Sequence, residues 1–205
     1  APPEGLMIDL TGCAHLFGGE IALFQQVEAD CTDLGLTVRA GIADTLVANL
    51  REAVLQRLLT VVFPGYFGGR VSGRICLENF VASHLDEVFV DLSALIARVL
   101  RFSAREQVHT PRDLPAVPAD DPGSYESLAD RLTLDYLDRL PGIRALLKGD
   151  VDAANAGDPA ASGPDEIILC YPGLLAIAVH RLAHPLYELG VPFIPRIMNE
   201  WAHAR

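Results

Sequence analysis

Residues 165–205 read DEIILCYPGLLAIAVHRLAHPLYELGVPFIPRIMNEWAHAR. Between positions 172 and 189 the apolar side chains recur every three or four residues, a spacing that places them on one face of an α-helix. They are Leu175, Val179, Leu182, Leu186 and Leu189. Pro185 lies inside this predicted helix and is expected to kink it or to limit its regularity. Another helix is predicted to begin after Pro195, so this whole end of the sequence reads as helical.

The helical pattern extends back to about residue 44. Asp44 or Thr45 is a natural N-cap for a helix over 46–62, and the longest helix is predicted over 75–102. Apolar positions in that longest helix are spaced 4, 3, 4, 3 and 4 residues apart, which forms a seam that packs against a partner helix. They are Val81, Leu85, Val88, Leu92, Leu95 and Val99. We interpret the seam as intramolecular core, with a docking surface as the alternative.

Prolines and glycines separate the predicted helices. Four prolines fall within twelve residues and forbid a continuous helix there, which predicts a linker or an exposed loop over 103–122. They are Pro111, Pro115, Pro118 and Pro122. Helices are then predicted over 124–140 and 143–156, and the sequence Gly157-Asp158-Pro159 is typical of a turn. No run of the hexapeptide repeats that build a β-helix occurs in the sequence.

The first 45 residues have a different pattern. A short apolar strand is predicted at Leu6–Leu10, a helix over 20–34 and an alternating strand over 36–42. A β-α-β unit of about 40 residues is too small to be stable alone. The sequence therefore predicts a mainly α protein, with a helical bundle over 46–205 preceded by a small β-α-β fragment over 1–45.

The charge balance limits the choice of partners. The chain of 205 residues has a net charge of −11, and residues 1–44 hold a single Arg against seven acidic side chains. Nucleic-acid binding draws its affinity from basic residues that release counterions from phosphates, so this composition disfavours a nucleic-acid partner. No apolar run approaches the ~18–20 residues that a membrane span needs, so no membrane association is expected.

The four cysteines show no metal-binding or disulfide pattern. Cys13, Cys31, Cys76 and Cys170 are scattered without a Cys-x-x-Cys spacing. A zinc site or a disulfide framework uses clustered pairs. We therefore predict reduced, mostly buried thiols, which points to a cytoplasmic location.

Two histidines, His180 and His184, share one face of the predicted helix at a spacing that is able to chelate a metal. The sequence places no third ligand beside them, and Arg181 stands where a metalloprotease motif has a glutamate. Helix capping or interhelical hydrogen bonding is the simpler interpretation. We predict no metal site.

Four segments of the sequence resemble one known family. They are FPGYFG at 63–68, LDEVFVDLSALIARVLR at 85–101, LPGIRALLKGDVDAANAGDPAA at 140–161, and the closing segment with CYPGL, HRLAH and LGVPFIPRIMNEWAH. Together they are similar to the N-terminal helical domain of bacterial serine O-acetyltransferases, over about 46–205. In that family a left-handed β-helix that binds acetyl-CoA follows this segment.

The resemblance implies an activity, which is acetyl transfer from acetyl-CoA to the hydroxyl of L-serine in cysteine biosynthesis. It gives Asp158 a part in binding L-serine, whose ammonium a carboxylate orients through a charge-assisted bond. It places no catalytic, cofactor-binding or metal-ligating residue in these 205 residues, because the general base and the acetyl-CoA site belong to the β-helix. The residues alone are thus expected to lack acetyltransferase activity. The implied partners are a second copy of the helical domain and an O-acetylserine sulfhydrylase.

Residues 5–45 resemble a different family. Their sequence, GLMIDLTGCAHLFGGEIALFQQVEADCTDLGLTVRAGIADT, is similar to Y-family DNA polymerases, and most similar to the catalytically silent mutasome subunit. Active members carry an Asp-Glu pair for two-metal chemistry where this sequence has Glu4-Gly5, so no metal for polymerisation is expected. Two alternatives to the acetyltransferase hypothesis follow. One is a DNA-repair accessory protein, and the other is a non-catalytic helical oligomerisation module.

Overall fold

A computed structural model describes residues 50–68, 74–105 and 122–203, together with Gln26, Ala29 and Asp30. Within these residues there is no β-strand, and a π-helical segment at Leu50–Leu55 is followed by seven α-helices. They are α1 (Gln56–Val62), α2 (Arg74–Arg105), α3 (Pro122–Leu137), α4 (Leu140–Gly157), α5 (Pro164–Cys170), α6 (Pro172–Glu188) and α7 (Ile194–His203). The predicted mainly α fold is confirmed. The predicted β-α-β fragment lies outside the described residues, apart from the three helical positions between 26 and 30.

The chain divides into two compact units, Ala1–Asp44 and Thr45–Arg205. The π-helical segment and all seven α-helices belong to the second unit. The separate family origins of residues 1–45 and 46–205 stay a prediction.

The helices of the second unit pack around one hydrophobic core. The longest helix, α2, packs against α3, α1 and the π-helical segment, while α6 packs against α4 and α7. Contacts of α7 with the π-helical segment and of α1 with α4 join the two groups of helices. The resulting core runs from Leu50 to Trp201.

The apolar seam of α2 faces this core. Four of its six members are at most 5% exposed, and the other two are partly buried against the same core. The buried ones are Val88, Leu92, Leu95 and Val99, and the partly buried ones are Val81 and Leu85. The interpretation of the seam as intramolecular core is confirmed.

Helix α2 is longer than predicted at its carboxyl end. It continues to Arg105, three residues beyond the predicted end at 102. The first proline of the following stretch is Pro111, so nothing in the sequence opposes a helix up to that point. Ser103 is buried, and the ring of Phe102 meets that of Phe193 edge-on with their centroids 5.7 Å apart. Packing therefore extends the helix into the segment predicted as loop.

Helix α6 is not interrupted by its proline. It continues past Pro185 to Glu188, and the proline side chain is buried in the core. A proline removes one backbone hydrogen bond, but Pro185 lies in the last turn of α6, and its carbonyl still accepts the Leu189 N–H at 2.9 Å. Burial of the ring offsets the missing bond at this position.

A glycine cap ends α6 and starts the connection to α7. The N–H of Val191 donates to the Leu186 carbonyl and the N–H of Gly190 donates to the Tyr187 carbonyl, each at 3.0 Å. This pair of bonds is the Schellman motif, in which the residue just past the helix, here Gly190, adopts the left-handed region. Gly190 has a φ of 81°, where a side chain is disfavoured. The glycine thus sets the angle at which α7 returns onto the core.

Within the described ranges no single helix is both long and apolar enough to cross a membrane, and α5 and α6 reach that composition only as a pair bent by 78°.

Candidate functional site

Asp158 lies in the turn that follows α4. Its backbone is extended (φ −112°, ψ 104°), and its N–H caps the helix by donating to the Ala154 carbonyl at 3.1 Å. Its own carbonyl accepts the Ala161 N–H at 3.1 Å, which closes a turn over the Asp-Pro pair. The turn predicted from the sequence is confirmed, and it places the aspartate at the carboxyl end of α4.

Two hydrogen bonds hold the Asp158 carboxylate. The hydroxyl of Tyr171 donates to Oδ2 at 2.5 Å, and the N–H of Ala160 donates to Oδ1 at 2.9 Å. The bond from Tyr171, followed by the bond from Ala160, lowers the pKa of Asp158 below its ordinary value. The carboxylate is therefore ionised at neutral pH. Because Asp158 is only half-buried, it is also within reach of a small ligand.

Tyr171 is held in place by the start of α6. It precedes Pro172, the first residue of that helix, and its carbonyl accepts the Leu174 N–H at 3.1 Å. The hydrogen bond to Asp158, followed by burial, raises the pKa of Tyr171 to about 12. The phenol therefore stays protonated and remains a donor throughout the neutral range.

Two further carboxylates, Asp165 and Glu166, lie in the first turn of α5. Glu166 accepts the N–H of Ser162 at 2.6 Å, and this bond lowers the pKa of Glu166. The hydroxyl of Tyr66 donates to Asp165, and that bond raises the pKa of Tyr66. Because Asp158 and Glu166 repel each other electrostatically, the connection between α4 and α5 suits a cationic group better than an anionic one.

Sequence reasoning identified Asp158 but missed the two tyrosines that contact this acidic connection. Tyr171 is 13 residues from Asp158, and Tyr66 is 99 residues from Asp165. The signal available for Tyr171 was its place directly before the proline that starts a predicted helix. Tyr66 carried no comparable signal, because only the tertiary packing brings it to α5.

A second polar feature is an open groove of about 620 Å³ beside α4, α6 and α7. Its lining includes His180, Asn199 and His203, together with an Arg181–Asp150 ion pair. Arg181 donates twice to the Asp150 carboxylate, through Nε and through Nη2, the latter at 2.7 Å. Asp158 does not line this groove, so the two features are separate.

The histidines of α6 stack on each other. The ring centroids of His180 and His184 are 6.0 Å apart, and Nε2 of His184 lies 3.5 Å from the Glu188 carboxylate. Glu188 lies on the same helix as His184, so this contact is not the interhelical hydrogen bond that the sequence suggested. In the parts of the chain that the structure describes, no three His, Cys, Asp or Glu side chains are grouped to hold a metal ion.

Cys76 and Cys170, the two cysteines within the described ranges, are free and exposed. The prediction of mostly buried thiols is therefore wrong for these two. Cys76 lies in the first turn of α2, and Cys170 ends the short helix α5. Both positions are at helix ends, where the core does not cover the side chain. Cys13 and Cys31 lie outside the described residues.

Known proteins match this chain over most of its length. A serine acetyltransferase from a plasmid of Synechococcus elongatus is 39% identical over 151 residues, which is 74% of this chain and 45% of the relative. A serine acetyltransferase of Mycobacterium tuberculosis is 44% identical over 55 residues, or 27% of this chain and 24% of that protein. The chain thus spans less than half the length of these relatives. No protein-family model matches it.

Solved structures give the same result. The native serine acetyltransferase 1 of Entamoeba histolytica aligns with a TM-score of 0.54 at 32% identity, covering 73% of this chain and 46% of that one. The same enzyme in complex with L-cysteine aligns with a TM-score of 0.54 at 27% identity, and the alignment covers 78% of this chain and 57% of that one. Sequence and structure together assign the helical part of this chain to the serine acetyltransferase family.

Proposed function

We propose that this chain is the substrate-binding helical part of a serine O-acetyltransferase, which transfers the acetyl group of acetyl-CoA to the hydroxyl of L-serine. Asp158 binds the ammonium group of L-serine in this proposal. The observation that carries it is the state of that carboxylate, which is ionised, half-exposed and held by two hydrogen bonds. An ionised carboxylate has about four lone-pair sites, so two remain for an ammonium.

The chemical step needs groups other than those around Asp158. Acetyl transfer requires a base that takes the proton from the serine hydroxyl. The hydrogen-bond partners of Asp158 are the Tyr171 phenol and the Ala160 N–H, and neither accepts a proton at neutral pH. In line with the family resemblance, we propose that the base and the acetyl-CoA cleft come from residues other than these 205, and that these 205 residues alone show no serine-dependent release of thiol from acetyl-CoA.

The proposed partners and location follow from the same assignment. A second copy of the helical domain and an O-acetylserine sulfhydrylase remain proposals. The free thiols of Cys76 and Cys170 suit the reducing cytoplasm, which we propose as the location. The DNA-repair alternative rested on residues 5–45, which lie outside the described ranges except for three positions, and no observation on the described residues favours it.

The test of Asp158 is a binding measurement on the chain as it stands. L-serine is titrated into the wild type and into Asp158→Asn while backbone amide shifts are followed by NMR. Because the substitution removes a charge-assisted hydrogen bond, we expect the affinity to fall about ten-fold or more. Asp152→Asn is the matched control, since Asp152 is an exposed carboxylate on α4 that pairs with Lys148 at 2.6 Å. It should leave binding unchanged.

A second ligand separates the role of charge from a loss of fold. 3-Hydroxypropionate has the hydroxyl and the carboxylate of serine but no ammonium, so it should bind weakly to both proteins and gain nothing from Asp158. Equal affinity of wild type and Asp158→Asn for L-serine, with both proteins folded, contradicts the proposal. The absence of any L-serine binding to the wild type contradicts it as well.

A further inference from the structure

We infer that Tyr171 is a positioning residue for the proposed ammonium site, in that its hydroxyl holds the Asp158 carboxylate in the one orientation that presents its free lone pairs to the ligand. The inference rests on the proposed function of Asp158. The contact that carries it is the 2.5 Å bond from the Tyr171 hydroxyl to Oδ2. Nothing in the sequence motif Asp-Pro requires this partner.

The geometry divides the carboxylate between two anchors. Oδ1 is held by the N–H of Ala160, which belongs to the same turn, and Oδ2 is held by a side chain from the next but one helix. With the turn contact alone, the carboxylate is free to rotate about its terminal torsion, which is broad for aspartate. The second anchor removes that freedom. A ligand then meets a carboxylate that is already oriented, which lowers the entropy lost on binding.

Tyr171 itself has little freedom to move. A residue before proline is restricted to extended backbone, and Tyr171 has φ −92° and ψ 107°. Its N–H donates to the Ile167 carbonyl at 3.4 Å, and its ring packs against the core. The phenol is therefore fixed relative to both α5 and α6. This rigidity is what a positioning residue needs, because a mobile donor does not define the direction of its acceptor.

Other titratable groups near the pair are Glu166 and Cys170, whose charges both raise the pKa of Tyr171, and the charge of Asp158 in turn raises the pKa of Glu166. Neither is a hydrogen-bond partner of the Asp158 carboxylate. The electrostatic effect of Glu166 and Cys170 on the site stays the same when the Tyr171 hydroxyl is removed. A substitution that removes only this hydroxyl therefore isolates its contribution.

The test compares Tyr171→Phe with Tyr66→Phe. Each variant loses one phenol that donates to a carboxylate of this connection, but Tyr66 donates to Asp165 and not to Asp158. In Tyr171→Phe we expect the affinity for L-serine to fall about five-fold, because the hydroxyl acts on the ligand only by orienting the Asp158 carboxylate. The pKa of Asp158, followed by NMR of carboxyl-labelled protein, should rise toward its ordinary value of 3.8. Tyr66→Phe should change neither quantity.

The outcomes distinguish the two proposals. If Asp158→Asn weakens serine binding but Tyr171→Phe changes neither the affinity nor the pKa of Asp158, the positioning role is wrong and the proposed function stands. If no variant affects serine binding, the proposed function fails, whatever the pKa shows. Should Tyr171→Phe fail to fold, Asp158→Asn gives the reciprocal measurement. The pKa of Tyr171, raised to about 12 in the wild type, must then fall toward 10, and an unchanged value overturns the inference.

Discussion

At the scale of single residues, Asp158 shows what a sequence motif does and does not specify. The Asp-Pro pair predicts a turn, and the turn forms, because its backbone bonds are local. The direction of the carboxylate depends on Tyr171, which reaches it from the start of another helix. A pattern of near neighbours contains no information on that contact. The position of a candidate residue was therefore predictable, and its hydrogen-bond partners were not.

Burial of adjacent residues differs sharply on helix α4 and gives a matched stability test. Leu147 is 0% exposed and Leu146 is 54% exposed. Leu147→Ala leaves a cavity in the core, and we expect it to lower the free energy of unfolding by about 2–5 kcal/mol. Leu146→Ala makes the same chemical change on the surface and should alter it by less than about 0.5 kcal/mol. Urea unfolding followed by circular dichroism measures both. Small losses in both variants contradict the assignment of Leu147 to the core. Large losses in both mean that Leu146 is covered in solution.

At the scale of elements, periodicity predicted the long helices and failed for α5. Helices α2, α4 and α6 each bury a continuous apolar face, so their spacing was readable within a few residues of the true ends. Helix α5 has only seven residues and begins at Pro164, directly after Gly163, and this Gly-Pro pair reads as a loop. One buried side chain, Ile167, anchors it. Two turns with one anchor leave no period to detect.

Two glycines in helical regions have opposite expected effects when replaced by alanine. Gly190 has a φ of 81° at the end of α6, and alanine there should cost about 1 kcal/mol of unfolding free energy because a side chain is strained in the left-handed region. Gly149 lies within α4, and a Cβ added to it meets nothing within 4 Å. Gly149→Ala should instead stabilise by about 0.5–1 kcal/mol through higher helix propensity.

Thermal and urea unfolding of the two alanine variants measure the change in the free energy of unfolding. The sign of the change is the informative quantity, since the substitutions are identical. A stabilising Gly190→Ala contradicts the cap, and a destabilising Gly149→Ala means that the exposed side of α4 is in contact with another surface in solution.

At the scale of the whole molecule, the described residues of the helical unit form one hydrophobic core. That core begins at Leu50 and ends at Trp201, within the unit Thr45–Arg205. A domain that buries its own apolar surface unfolds as one cooperative transition. The change of pattern near residue 45 predicts a domain boundary there, and this boundary stays a prediction. Which helices contact each other was not predictable from the sequence, because helix pairing depends on packing rather than on local spacing.

We therefore expect the chain without residues 1–44 to fold and to keep its proposed ligand site. Its helical circular dichroism should unfold in a single transition, with the free energy of unfolding within about 1 kcal/mol of that of the full chain, because the described core lies in the retained part. Urea unfolding of both chains gives the comparison, and L-serine titration checks that the site around Asp158 is intact. Loss of the cooperative transition contradicts the self-sufficiency of the helical unit. A stable truncated protein that no longer binds L-serine, when the full chain does, means that residues 1–44 contribute to the site.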